Sequence, residues 1–252
     1  VEGVALATIT SQAVSAVLVV RALMRRTDGC HLDLGEILPH KPQLLRIIRI
    51  GLPAAMETIL YNLAITIVIS LLNGMDDAGV QATARTYAAQ IANFSVSTGI
   101  ALAQSNGILV GWRIGAGELE ACDRGTRRVA LLGIGLAVGI AGFFALVARP
   151  VLSLFTDDPE MIRLVSRLLM VDIALEIGRV TNLVFGAALK TSGDAIYPMV
   201  IAVVFAFLCA AGGTWFFGIH LGWLAVGAYV AMALDECVRA VGMVLRWHSG
   251  KW

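Results

Sequence analysis

The sequence predicts an all-α integral membrane protein, and three observations carry that prediction. Residues 129–148 are twenty consecutive uncharged residues and residues 195–234 are forty, lengths that suit one bilayer crossing and two crossings joined by a turn. Hydrophobic residues make up 58% of the chain and charged ones 15%, with a mean hydropathy of +0.81, too apolar for a soluble domain of 252 residues. Seven ionisable residues nevertheless fall inside the apolar spans: Glu57, Asp172, Glu176, Arg179, Asp235, Glu236 and Arg239. Each such group in hydrocarbon costs about 2.5–3.5 kcal/mol, so it faces a bundle interior or a watery cavity and marks ion or substrate handling.

The elements follow in order. The uncharged run 3–20 ends in Arg21, Arg25 and Arg26. A secretory signal would carry its positive charge before the apolar core, so residues 1–24 are expected to be the tail of a preceding transmembrane helix in a longer protein. Residues 25–50, with Lys41, Arg46, Arg49, Pro39 and Pro42, form a hydrophilic cytoplasmic linker, expected to end in a short amphipathic helix that leads into Gly51-Leu52-Pro53. Six spans then follow, near 51–73, 82–111, 128–155, 160–189, 195–218 and 221–246, with a polar tail at 248–252.

Alternating sides gather Arg21, Arg25, Arg26, Lys41, Arg46, Arg49, Arg113, Arg124, Arg127, Arg128, Lys190, Arg246 and Lys251 on one face. Asp76, Asp77, Asp157, Asp158 and Glu160 fall on the other, with Arg149 as the exception. The basic bias assigns the first face, and the carboxy terminus, to the cytoplasm.

Several function classes are excluded. A net charge of +1 provides no basic excess for nucleic acid. The four cysteines show no CxxC spacing and the four histidines no ligand spacing, so neither a metal centre nor a cofactor is expected. No GxSxG or HExxH motif supports an intramembrane enzyme, and no GxxxxGK[ST] supports direct ATP use. Gly135 and Gly139, spaced as GxxxG with Gly142 nearby, predict close helix packing rather than chemistry.

Asp172, Glu176 and Arg179 share one helical stripe, and Asp235, Glu236 and Arg239 repeat the arrangement. Two roles compete for each cluster: a buried ion pair that fixes packing, or a carboxylate that exchanges a proton or binds sodium. Glu57 has no acid or base partner on its own helix, which favours the second role for it. Five acids against two arginines leave an excess of three negative charges. Tyr61, Asn62, Gln90, Asn93 and Asn182 are candidates for lining a cavity, as are Gln104 and Asn106.

Four local patterns, in order, resemble the multidrug and toxic compound extrusion (MATE) family of cation-coupled antiporters. They are Gly51-Leu52-Pro53 opening a span, Leu109 to Gly117 (LVGWRIGAG), Leu154 to Glu160 (LFTDDPE) and Ala188 to Asp194 (ALKTSGD). Trp112 and Arg113 replace the usual Gln-Asn of the second pattern. The resemblance implies that 51–247 is the carboxy-terminal six-helix lobe of a twelve-helix transporter whose amino-terminal lobe lies outside this chain. It further implies export of small organic compounds, cationic or amphipathic, across the cell inner membrane in exchange for protons or sodium. Glu57, Asp172 and Glu176 would be the coupling acids and the sites for sodium, if sodium is the ion. Arg179, Asp235, Glu236 and Arg239 would be supporting ion pairs. One departure is that the family's acid in the first of these helices lies about a turn deeper, where this chain has Tyr61. A lipid-linked oligosaccharide flippase of the same superfamily is the alternative, and it calls for a cationic cavity, against which the acid excess counts.

Overall fold

The structure, a computed structural model, describes residues 2–25, 41–75 and 79–251. Much of the expected linker, with Arg26, Cys30 and His31, lies outside the described residues, as do Asp76 and Asp77. The described residues form helices and contain no strand. They divide into two compact units, Val1–Ile47 and Ile48–Trp252.

The first unit contains α1, Glu2–Arg25, whose apolar side chains, Leu6, Ile9 and Val17 among them, are exposed. Its window Ala5–Ala22 is long and apolar enough to cross a membrane. α2, Lys41–Asn73, begins in this unit and supplies the rest of its length to the second. The expected helix boundary at Gly51-Leu52-Pro53 is absent, and Pro53 lies inside α2. A proline forfeits one backbone hydrogen bond, a loss that membrane helices tolerate through local adjustment and neighbouring groups.

The second unit continues with α3 (Val80–Gly115), α4 (Leu119–Leu146), the short α5 (Ala148–Leu152) and α6 (Pro159–Thr191). Gly117, in the left-handed region at φ +76°, lets the chain reverse between α3 and α4. α4 starts earlier than the apolar window suggests, because the polar residues at its amino end have partners. Asp123 pairs with Arg127 at 2.8 Å and accepts a hydrogen bond from Trp247 Nε1 at 2.9 Å. The helix stops at Leu146, whose carbonyl is the one that the ring of Pro150 obstructs, so α5 restarts the chain as a separate turn.

The LFTDDPE pattern is a helix start in physical terms. Asp158 accepts a hydrogen bond from the backbone N–H of Glu160 at 2.9 Å, and Pro159 occupies the first turn, where no N–H is needed. Lys190 closes the last turn of α6, where a cation suits the helix dipole. Gly193 then turns the chain at φ +104°. α7, Ile196–Phe205, continues through two wider π-helical stretches, Ala206–Ala211 and Thr214–His220, before α8, Leu224–His248.

Among the described residues, four elements are long and apolar enough to cross a membrane: the α1 window, α2, α4 and Ile196–His220. α3, α6 and α8 carry the buried charged or polar side chains of the centre, with α6 packed against α8, α3 and α4. Two apolar cores flank a polar layer. One uses Met161 to Leu175 of α6 with Val68, Ala88, Leu152 and Tyr229. The other uses Val180 to Leu189 with Val110, Cys122, Met243 and Trp247. Glu176 and Arg179 fall between the two stretches of α6.

The small-residue packing expected of Gly135, Gly139 and Gly142 is not found. A Cβ at any of them would meet nothing within 4 Å, because these positions lie away from the neighbouring helices. The close approach is instead at Gly178, where a Cβ would lie 2.6 Å from Cys237 N and 2.7 Å from Glu236 C. Gly178→Val is therefore expected to cost about 3 kcal/mol or more, since backbone on the facing side cannot yield as a side chain can. Gly135→Val should leave the melting temperature in detergent unchanged. Equal melting of the two variants would show that α6 and α8 do not meet at Gly178.

Candidate functional site

The tight α6–α8 contact at Gly178 brings the two charged stripes face to face beside a cavity of about 370 Å³. α2 contributes Glu57 and Tyr61 to its wall, α3 Arg85 and Asn93, α6 Asp172, Arg179 and Asn182, and α8 Tyr229, Glu236 and Arg239. Apolar wall is supplied by Val96, Ile100, Leu175 and Met232.

Most of the charges are matched. Arg239 pairs with Asp235 at 2.7 Å and with Glu236 at 2.8 Å, and its guanidinium stands 5.1 Å from the ring centroid of Tyr61 in a cation–π contact. Arg179 donates to Glu176 and lies 4.0 Å from Glu236. Asn182 Nδ2 donates to the other Glu236 oxygen at 3.0 Å. These groups are deeply placed: Glu176 is 0% exposed and Arg239 4%. One oxygen each of Glu57, Glu176 and Asp235 is buried without a hydrogen-bond partner among the described residues. Groups so enclosed are worth far more paired than broken.

Glu57 departs from expectation. Lys190 Nζ, from the last turn of α6, lies 2.8 Å from Glu57 Oε1, so this acid is not alone. Spacing along one helix cannot reveal a partner 133 residues away. A smaller cavity of about 220 Å³, lined by Gln104 and Lys190 among others, shares Glu57 and Asn182 with the larger one.

Asp172, 2% exposed, lines the main cavity and takes part in none of the ion pairs among the described residues. Arg85 is the residue that sequence reasoning missed. It sits inside the span expected at 82–111 and would have emerged from counting every ionisable residue in the spans. The charge tally changes accordingly. Adding Arg85 and Lys190 to Arg179 and Arg239 sets four cations against five acids, an excess of one rather than three. On the wall of the main cavity three acids, Glu57, Asp172 and Glu236, face three arginines.

Of the polar candidates, Tyr61, Asn93 and Asn182 line the main cavity, whereas Asn62 and Gln90 do not. Asn62 Nδ2 donates to the carbonyl of Thr58 at 2.9 Å on its own helix, and Gln90 accepts from Asn93 at 3.3 Å. Gln104 lines the smaller cavity, and Asn106 is buried against Thr126. Among the described residues no three His, Cys, Asp or Glu side chains converge as a metal centre.

Comparison with known proteins matches this arrangement to a family. "Uncharacterized transporter YisQ" of Bacillus subtilis is 29% identical over 254 residues, covering 100% of this chain and 55% of its own length. "Probable multidrug resistance protein NorM" of Thermotoga maritima is 25% identical over 254 residues, covering 100% of this chain and 54% of its own. This chain thus spans about half the length of the curated relatives it matches. Among solved structures, a crystal structure of MATE in the straight conformation superposes with a TM-score of 0.83 at 18% identity, over 98% of this chain and 55% of that one. The MatE family model matches residues 53–216, which hold the α2 acid, the whole of α6 and most of the cavity wall, and the chain belongs to the MatE family.

Proposed function

We propose that the full-length protein is an antiporter that exports organic cationic or amphipathic compounds across the cell inner membrane in exchange for protons or sodium. The observation that carries this is Asp172, a buried carboxylate on the wall of a cavity of about 370 Å³ that forms no ion pair among the described residues. The volume lies within the range of about 300–1,000 Å³ usual for drug-sized ligands, and the mixed polar and apolar wall suits amphipathic molecules.

Coupling follows from competition and population shift. A carboxylate that holds either a coupling ion or the cationic end of a substrate cannot hold both, and each occupant biases the protein toward the state that binds it better. Asp172 takes this role, with Glu176 next to it on the same stripe. Glu57 acts through its cross-helix pair: a proton or sodium on Glu57 releases Lys190 and loosens α2 from the end of α6. A sodium ion, as a hard cation, would be held by oxygen ligands, here carboxylate, amide and backbone oxygens. In this scheme 51–247 is the carboxy-terminal lobe, it works against an amino-terminal lobe, and the tail at 248–252 faces the cytoplasm. The flippase alternative asks for a net positive cavity, whereas the wall here holds three acids against three arginines.

Full-length protein in proteoliposomes should drive a fluorescent organic cation out against its concentration gradient when an inward proton or sodium gradient is imposed. Dye movement that is indifferent to both ion gradients would overturn coupled antiport.

A further inference from the structure

The ion pairs described above account for seven of the nine ionisable groups in and around the cavity. The remaining two have opposite sign: Arg85 on α3 and Asp172 on α6, both on the cavity wall. Neither takes part in an ion pair within 4.0 Å among the described residues. Arg85 Nε is also buried without a hydrogen-bond partner among the described residues.

We propose that Arg85 and Asp172 are the two docking points for a zwitterionic amphiphile, Arg85 holding its anionic group and Asp172 its cationic one. This rests on the cavity being the substrate site. It adds a specificity-determining residue, Arg85, and a narrower substrate class.

The physical grounds are these. A buried Nε without a partner is costly, and a carboxylate that meets Nε together with a terminal nitrogen uses the planar fork of arginine in its strongest geometry. A purely cationic compound satisfies Asp172 and leaves Arg85 uncompensated. A purely anionic one does the reverse. A compound carrying both charges meets both groups at once, while Val96, Leu175 and Met232 offer apolar contact to its body.

The test uses two probes that differ by one methyl group: tetramethylrhodamine, which carries a carboxylate and a delocalised cation, and its methyl ester, which carries the cation alone. Binding to the full-length protein in nanodiscs is read by fluorescence anisotropy. The wild type should bind the carboxylate form about tenfold more tightly than the ester, the ratio that corresponds to about one charge-assisted hydrogen bond. Arg85→Gln should bring that ratio close to one, and Asp172→Asn should weaken both probes. A wild-type ratio near one, or a ratio unchanged in Arg85→Gln, overturns the proposal. Should the glutamine variant fail to fold, Arg85→Lys decides: a reduced preference supports the assignment and an unchanged one overturns it.

Because binding is read without flux, the two proposals fail separately. Discrimination between the probes with no gradient-driven export overturns antiport alone. Gradient-driven export with no discrimination overturns the role of Arg85 alone.

Discussion

Asp172→Asn is expected to reduce ion-driven efflux to the level of empty vesicles while leaving membrane insertion and folded yield intact. The substitution keeps shape and hydrogen-bonding capacity and removes only the titrating charge. It breaks no ion pair, because Asp172 makes none among the described residues. Folding and coupling should therefore separate at this position. Glu57→Gln offers the contrast: it strands Lys190, held at 2.8 Å in the native pair, so it should lower folded yield as well as efflux. Lys190→Met added to Glu57→Gln should recover the yield and not the efflux. If Asp172→Asn exports as well as the wild type at equal expression, the coupling role moves to Glu176 or Glu57.

Arg239→Ala is expected to destabilise the protein by about 3–5 kcal/mol, the usual cost of removing one partner from a buried charge cluster. Asp235 and Glu236 are 2% and 5% exposed; Asp235 takes its ion pair at Arg239 at 2.7 Å, and Glu236 the closer of its two at 2.8 Å. The loss of the cation–π contact with Tyr61 adds to the effect. Replacing Arg239, Asp235 and Glu236 together by Met, Leu and Met should restore most of the stability, because well-packed apolar groups substitute for buried ion pairs at little cost. Thermal melting in detergent distinguishes the cases. A triple variant that melts no higher than Arg239→Ala would show that packing around α8, rather than unmatched charge, governs stability there.

The fold class was legible because it rests on lengths and apolarity, which the bilayer imposes on sequence directly. Helix ends were legible where they are local, as at Asp158-Pro159, and less so where partners elsewhere decide them. The early start of α4 depends on Trp247 reaching Asp123, a contact across 124 residues. The same division holds for the site. The pairs of Arg179 with Glu176 and of Arg239 with Asp235 follow from spacings of three and four on one helix. The pair of Glu57 with Lys190 and the hydrogen bond from Asn182 to Glu236 join different helices, so no spacing rule reaches them. Arg85 was overlooked because a charge near a span end resembles a flank. The glycines inverted expectation for a related reason. The motif at Gly135 and Gly139 marks a smooth helix surface without naming its partner, whereas Gly178 and Gly227, neither of them in that motif, are where backbones meet.

The polar layer through the centre also bears on how the protein is made. Among the described residues, α2 and α4 are apolar and free enough of charge to cross a membrane by length and composition, whereas α3, α6 and α8 fall short of that measure. α6 emerges from the ribosome with Asp172, Glu176 and Arg179 in mid-helix, and its partner Glu236 follows 54 residues after Asn182. At synthesis rates of about 5–20 residues per second, that separation is a wait of roughly 3–11 seconds. During that interval Arg179 and Glu176 can pair within α6, whereas Asn182 still lacks its partner on α8. Release of α6 into lipid ahead of α8 would leave Asp172 and Asn182 facing hydrocarbon, so the two helices are expected to enter the membrane together.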